Sequence, residues 1–239
     1  MALISCLIFT IFTTPMLAFA QEKQNDFCIN SQSFQQVKDE KELLKLAVKQ
    51  HNDRLKLNPS LHEKDIVAVQ LVKSDKYKSG KVEETYTATG FILVDPNTGM
   101  QINSDSFSTS YTQHALAYNV SASLTAYMTI IEDPLSLEAW TIRCSQIQSS
   151  VSYTMPGVAY FKHGITADGY PPYDFYTSAT VGVPAPGSVY TLYPGNDYYY
   201  GSTGMGGCGF YNAFLDVTTT NMDTFSLLID IAQYLQGIG

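Results

Sequence analysis

His114 to Ile130 reads HALAYNVSASLTAYMTI, and the reading of this stretch decides the fold. The even positions run His114, Leu116, Tyr118, Val120, Ala122, Leu124, Ala126, Met128 and Ile130. The odd positions run Ala115, Ala117, Asn119, Ser121, Ser123, Thr125, Tyr127 and Thr129. A period of two puts these sets on opposite faces of a strand, one apolar and one small and polar. The run is long for a strand, which averages about 5 or 6 residues. Between Asp105 and Glu132 no residue is charged apart from whatever charge His114 carries, and Glu132-Asp133-Pro134 breaks the pattern. Trp140, Ile142 and Cys144 then share one face of a second strand. Its apolar phase slips to Ile147, Val151 and Tyr153, which predicts a bulge near Ser145 and Gln146. Residues 106 to 155 therefore read as one long antiparallel pair.

Upstream, Asp65 to Val72 and Glu84 to Val94 read as strands, with a charged turn from Lys73 to Lys81 between them. Asp95-Pro96-Asn97-Thr98-Gly99 is a turn, because Pro presets φ and Asn and Gly accept positive φ. Met100 starts the return strand. Further back, Val37, Leu43, Leu44, Ala47, Val48 and Leu55 recur at near-helical spacing, with Lys and Glu between them. Ser33 with Gln36 forms a capping box, and Asn58-Pro59 ends the helix. The expected helix runs from about Phe34 to Leu57. Residues 21 to 32 read as a flexible lead-in.

The first residues form a separate unit. Leu3 to Ala20 is apolar and closes on Ala18-Phe19-Ala20, followed by Gln21-Glu22-Lys23. Small residues at that junction suit a signal peptidase. The run is short and broken by Thr13-Thr14-Pro15, so it makes a poor membrane span. Residues 1–20 read as a signal peptide cut after Ala20, although Met1 to Ser5 lacks the usual Lys or Arg. The expected location is secreted or periplasmic.

Downstream of Met155 the texture changes. Pro and Gly punctuate short aromatic pieces, which reads as loops and short strands. Asn221 or Asp223 caps an expected last helix carrying Phe225, Leu228, Ile229, Ala232 and Leu235, with Gly237 as its C-cap. The expected fold class is α+β: an N-terminal helix packed on an antiparallel β-meander, then a loop-rich β region and a C-terminal helix. Residues 33–239 form one domain, with a possible sub-boundary near 155. One helix before an antiparallel meander resembles the cystatin shape over residues 33 to 110, with no motif behind it.

Composition narrows the function classes. Charged residues make up 15% of the chain, against about 25% in a typical domain. Tyr is used 17 times and Trp once, which suits sheets. Residues 21 to 84 hold 12 of the 14 basic side chains and 11 of the 22 acidic ones. Beyond residue 84, only Arg143 and Lys162 stand against 11 acids. An acidic, charge-poor body repels phosphate, so no nucleic-acid partner is expected. The four His residues (His51, His62, His114, His163) are scattered without metal-ligand spacing. His51 and His62 read as solvated, and no metal or cofactor is expected.

Three mature cysteines remain, Cys28, Cys144 and Cys208, an odd number. Cys144 lies on an apolar face and Cys208 in a Gly-rich loop, so a Cys144–Cys208 disulfide is expected. Gly204-Met205-Gly206-Gly207-Cys208-Gly209 contains a formal G-x-G-x-x-G, but no α/β alternation surrounds it, so it reads as a tight loop. Cys208 is also the best candidate nucleophile, with His163 or His114 as base and flanking N–H groups as an oxyanion hole. His163-Gly164 together with Gly206-Gly207-Cys208-Gly209 resembles the L,D-transpeptidase signature. No His directly precedes Cys208, and Phe210 stands where that family has Arg.

The richest binding segment is Asn196-Asp197-Tyr198-Tyr199-Tyr200. Its rings can stack on a sugar or peptide while the carboxylate and amide take hydroxyls. Residues 106 to 130 resemble, in texture, the Ser- and Thr-rich insertion segments of β-pore-forming toxins. Asn119-Val120-Ser121 is an N-glycosylation sequon. The leading expectation is a secreted, non-enzymatic binding protein that presents aromatic loops between Tyr170 and Tyr211 to an extracellular protein or glycan. The alternatives are a cysteine-dependent cell-wall or peptide-acting enzyme (Cys208, His163) and a membrane-active hairpin toxin.

Overall fold

The computed structural model describes residues 26–57, 66–102, 116, 119–132, 134, 141–152, 155, 157–168, 175–194, 200–201 and 210–231. The expected signal peptide, Cys208, and Ala232, Leu235 and Gly237 of the expected last helix lie outside this set. The elements are β1 (Cys28–Ser33), α1 (Glu40–Leu57), β2 (Val67–Tyr77), β3 (Val82–Val94), β4 (Asn119–Glu132), β5 (Thr141–Val151), β6 (Val158–Asp168), β7 (Phe175–Gly182), β8 (Val189–Leu192), β9 (Tyr200–Gly201), β10 (Phe210–Thr219) and β11 (Thr224–Asp230).

The strands assemble into two antiparallel sheets. One runs β1-β2-β3-β4-β5-β8, with β9 also pairing β5; the other runs β11-β10-β6-β7. The chain passes from the first sheet to the second between β5 and β6, across Met155. The alternation in β4 places Ala122, Leu124, Ala126 and Met128 in a core shared with Phe161 and Ile165 of β6, Leu215 and Val217 of β10, and Leu227 and Ile229 of β11. Two antiparallel sheets joined by one apolar core make a β-sandwich. The only helix among the described residues lies on the outer face of the larger sheet. There Leu44, Ala47 and Val48 of α1 meet Ile66, Ala68, Phe91, Leu93 and Val120.

The expected α+β class with a C-terminal helix is therefore corrected. Residues 224–230 form a strand paired with β10, Phe225 opposite Val217 and Ile229 opposite Ala213. Phe225, Leu228, Ile229 and Ala232 fit a helix, but Phe225, Leu227, Ile229 and Ile231 fit a strand equally well. The unpaired edge of β10 and the apolar face of the larger sheet decide for the strand: Phe225, Leu227, Ile229 and Ile231 are buried. A tight turn joins the two strands, with Met222 at φ +69° and Thr219 N donating to Asp223 O at 2.9 Å. The half beyond Met155, read as loop-rich, carries the whole second sheet.

The N-terminal helix starts later than its periodicity suggests. Asp39, not Ser33, is the cap, its Oδ1 accepting from Lys41 N at 3.1 Å and Glu42 N at 3.0 Å. The Ser33–Gln36 capping box fails because that backbone is bound to β2. Phe34 N donates to Val72 O at 2.9 Å. The Gln70 side chain clasps Val37, accepting from its N–H at 2.7 Å and donating to its carbonyl at 3.2 Å. β1, mostly within the expected flexible lead-in, pairs with the distal half of β2 from Tyr77 to Lys73, so much of the expected charged turn is strand.

Two of the larger sheet's bulges flank β4. Ser145 is the extra residue where Tyr127 faces Gln146 and Met128 faces Cys144, at the phase slip seen in the sequence. Ser121 is extra where Ile92 faces Ala122 and Leu93 faces Val120. That second bulge turns Val120 to the helix side, opposite the face that strict alternation assigns it. The Asp95–Gly99 turn forms, with Gly99 at φ +68°, and among the described residues its return arm makes a single bridge, Val94 to Gln101.

Candidate functional site

The polar face of β4 does not lie open to water. Helix α1 packs on the larger sheet's outer face, and its first turn with the residues before it, Gln36 to Leu43, stands as a wall over the polar face beside it. Between wall and sheet runs a groove of about 370 Å³, within the size range of small-molecule sites. Its floor is built from side chains that alternate outward: Thr87 and Thr89 from β3, Ser123, Thr125 and Tyr127 from β4, and Gln148 from β5. The Gln70 clasp on Val37 fixes the wall to the sheet.

The floor hydroxyls pair across the strands. Thr89 and Thr125, opposite each other in register, place their Oγ1 atoms 2.9 Å apart. Ser123 and Ser150 do the same at 2.8 Å. Tyr127 donates its phenol to Gln148 Oε1 at 2.9 Å, and burial raises that phenol's pKa. One group is left over. Thr87 is 3% exposed, and its Oγ1 has no hydrogen-bond partner. Its candidate partners are engaged: Tyr127, opposite it in register, with Gln148, and Gln70 with Val37. A buried hydroxyl without a partner costs about 1–3 kcal/mol, so such groups mark places where a ligand can complete the bonding. The charged side chains lining the groove, Lys38 and Glu40, sit on the wall and are exposed. Among the described residues the floor holds no base, acid or nucleophile suited to covalent chemistry.

His163, the expected catalytic base, sits elsewhere. It is 1% exposed and faces the space between the sheets, where Ser149 Oγ lies 2.8 Å from its Nδ1. The Phe161 ring meets its imidazole edge-on at 5.3 Å. Burial lowers its pKa to about 4, so the imidazole is neutral at physiological pH. Cys144 is a buried free thiol whose Sγ donates to Gln146 O at 3.4 Å. Burial pushes that thiol up to about 12. Its expected disulfide partner Cys208 lies outside the described residues, as do the Gly204–Gly209 loop, His62 and His114.

Of the expected aromatic site, Asn196, Asp197, Tyr198 and Tyr199 lie outside the described residues. Tyr200 is in β9, paired with Ile142 of β5. His51, read as solvated, is instead fully buried under α1, because the helix turns that face to the sheet. Asn119 of the sequon is exposed at the start of β4. The β4–β5 hairpin forms, with its apolar face covered by the second sheet. Among the described residues no three His, Cys, Asp or Glu side chains gather as a metal site.

Sequence reasoning missed the groove. Its signal was present: Thr85, Thr87 and Thr89 alternate on β3 just as Ser123, Thr125, Tyr127 and Thr129 do on β4. Two neighbouring rows of uncharged hydroxyls are unusual on a face left to water, where Lys and Glu ordinarily stand. No family model matches the chain, and a search of curated proteins returns no match.

Proposed function

We propose that this chain is an exported, non-enzymatic binding protein whose ligand seats in the hydroxyl-floored groove beside α1. The carrying observation is the Thr87 hydroxyl, buried and unpartnered in a floor whose other groups are hydrogen-bonded. Evolving such a floor without use would be costly, since a Val there would be cheaper to bury. The cysteine-enzyme reading draws no support from His163, a neutral imidazole bonded to Ser149 inside the sandwich.

The test plugs the groove. Thr125→Phe fills the floor with a ring, and Tyr200→Ala removes an aromatic from the rival loop face. Labelled secreted protein is applied to arrays of glycans and of extended peptides. The expected result is a bound class whose signal falls more than about tenfold in Thr125→Phe and holds in Tyr200→Ala. Binding that survives the plug in a variant with parental circular dichroism overturns the groove. Loss only in Tyr200→Ala returns the site to the aromatic loops.

A further inference from the structure

Resting on that reading, we infer that the groove takes a neutral, hydroxyl-rich ligand: a short uncharged glycan. The backbone disfavours a peptide strand. β3 is hydrogen-bonded to β2 and β4, and β4 to β3 and β5. The floor therefore presents side chains only, with no free main-chain edge for a peptide strand to extend.

The floor's polar groups match sugar hydroxyls in kind. Hydroxyls of Thr87, Thr89, Ser123 and Thr125 each donate and accept, and the Gln148 amide does both through separate atoms. Sugar hydroxyls have the same dual character, so the two surfaces can exchange roles along a shared network. Thr87 Oγ1 is the one hydroxyl of that floor still without a hydrogen bond.

The absence of charge on the described floor favours a neutral ligand. A carboxylate, sulfate or ammonium in the floor would shed its hydration with no counter-charge to receive it. Lys38 and Glu40 have opposite signs and stand at the exposed wall, so they favour neither sign. The half-buried Tyr127 ring, with Phe91 and Leu43, adds apolar surface for the C–H face of a pyranose.

The secreted protein, with Thr87→Val, Thr87→Ser and Thr125→Phe, is titrated calorimetrically with maltohexaose, cellohexaose and chitohexaose. A heparin-derived sulfated oligosaccharide and an extended-peptide library serve as the contrasting probes. A neutral oligosaccharide should bind, Thr87→Val should weaken it about five- to tenfold, and Thr87→Ser should restore it. The melting temperature of free Thr87→Val should match or exceed the parent, because an isosteric apolar group replaces an unpartnered hydroxyl. Failure of all neutral probes, or binding indifferent to Thr87→Val, overturns the glycan assignment. Sulfated or peptide binding that Thr125→Phe abolishes overturns the glycan while leaving the groove as the site. Binding of any probe unaffected by Thr125→Phe removes the groove itself.

Discussion

His163 shows how one residue carries a pH dependence into a sandwich. Its neutral ring is held between the sheets by Ser149, and burial lowers its pKa from 6.5 to about 4. The unfolded chain therefore takes up a proton near pH 6.5 that the folded chain refuses until about pH 4. Stability is full above that window, falls as pH drops through it, and levels off below. The loss amounts to about 3 kcal/mol. His163→Gln should flatten the slope of urea-midpoint against pH between these limits; an unchanged slope would assign it to other groups. Tyr211 works at the same scale, its phenol oxygen accepting from Cys144 N at 2.8 Å across the sheets. Tyr211→Phe strands a buried N–H at the Ser145 bulge and should cost about 1–3 kcal/mol by chemical denaturation. Cys144, buried with a raised pKa, should resist alkylation in the native protein, whereas the exposed Cys28 should react at once. Mass mapping after pulse labelling reads both.

At the scale of elements, the sheets are finished by glutamines. Beyond β1 the edge of β2 is open, and Gln50 of α1 closes it, donating to Val69 O at 2.7 Å and accepting from Val69 N at 2.8 Å. Gln101 does the same for the edge strand β11, donating to Ser226 O at 2.7 Å and accepting from its N–H at 2.9 Å. One amide thus satisfies both backbone groups that a residue turns to its strand's open side, and blunts an edge open to intermolecular pairing. Gln101→Ala should cost about 1 kcal/mol, speed hydrogen exchange at Ser226, and raise the tendency to associate at high concentration. Unchanged exchange at Ser226 would show that the clamp is not maintained in solution.

The whole molecule depends on how closely the sheets approach. Gly90 of β3 sits where β11 presses down: a Cβ there would stand 3.0 Å from Leu227 Cδ1 and 3.3 Å from Ile229 Cδ1. Gly90→Val overfills that contact and should cost about 1–3 kcal/mol. Leu227→Ala alone should cost about 2–5 kcal/mol through the cavity it leaves. In the double variant the valine methyls occupy that cavity, so the total should fall below the sum of the two. Strict additivity in urea titrations would mean the sheets do not meet at this point.

Local patterns were legible in the sequence where one rule acted alone. The alternation of β4, the phase slip at Ser145, the Asp95–Gly99 turn and the apolar stripe of α1 each follow from side-chain period or backbone preference within a few residues. Tertiary structure decided the rest. Thr224 to Asp230 satisfies helical and strand spacing together, and the open edge of β10 with the apolar face of the larger sheet selects the strand. The Ser33 cap is sound locally, but the Gln70 clasp and the Val72 carbonyl hold that backbone extended. Ser123, Thr125 and Tyr127 carry the same letters whether they face water or a walled groove. The difference comes from where Gln36 to Leu43 crosses the sheet, a contact between residues that only the fold makes neighbours.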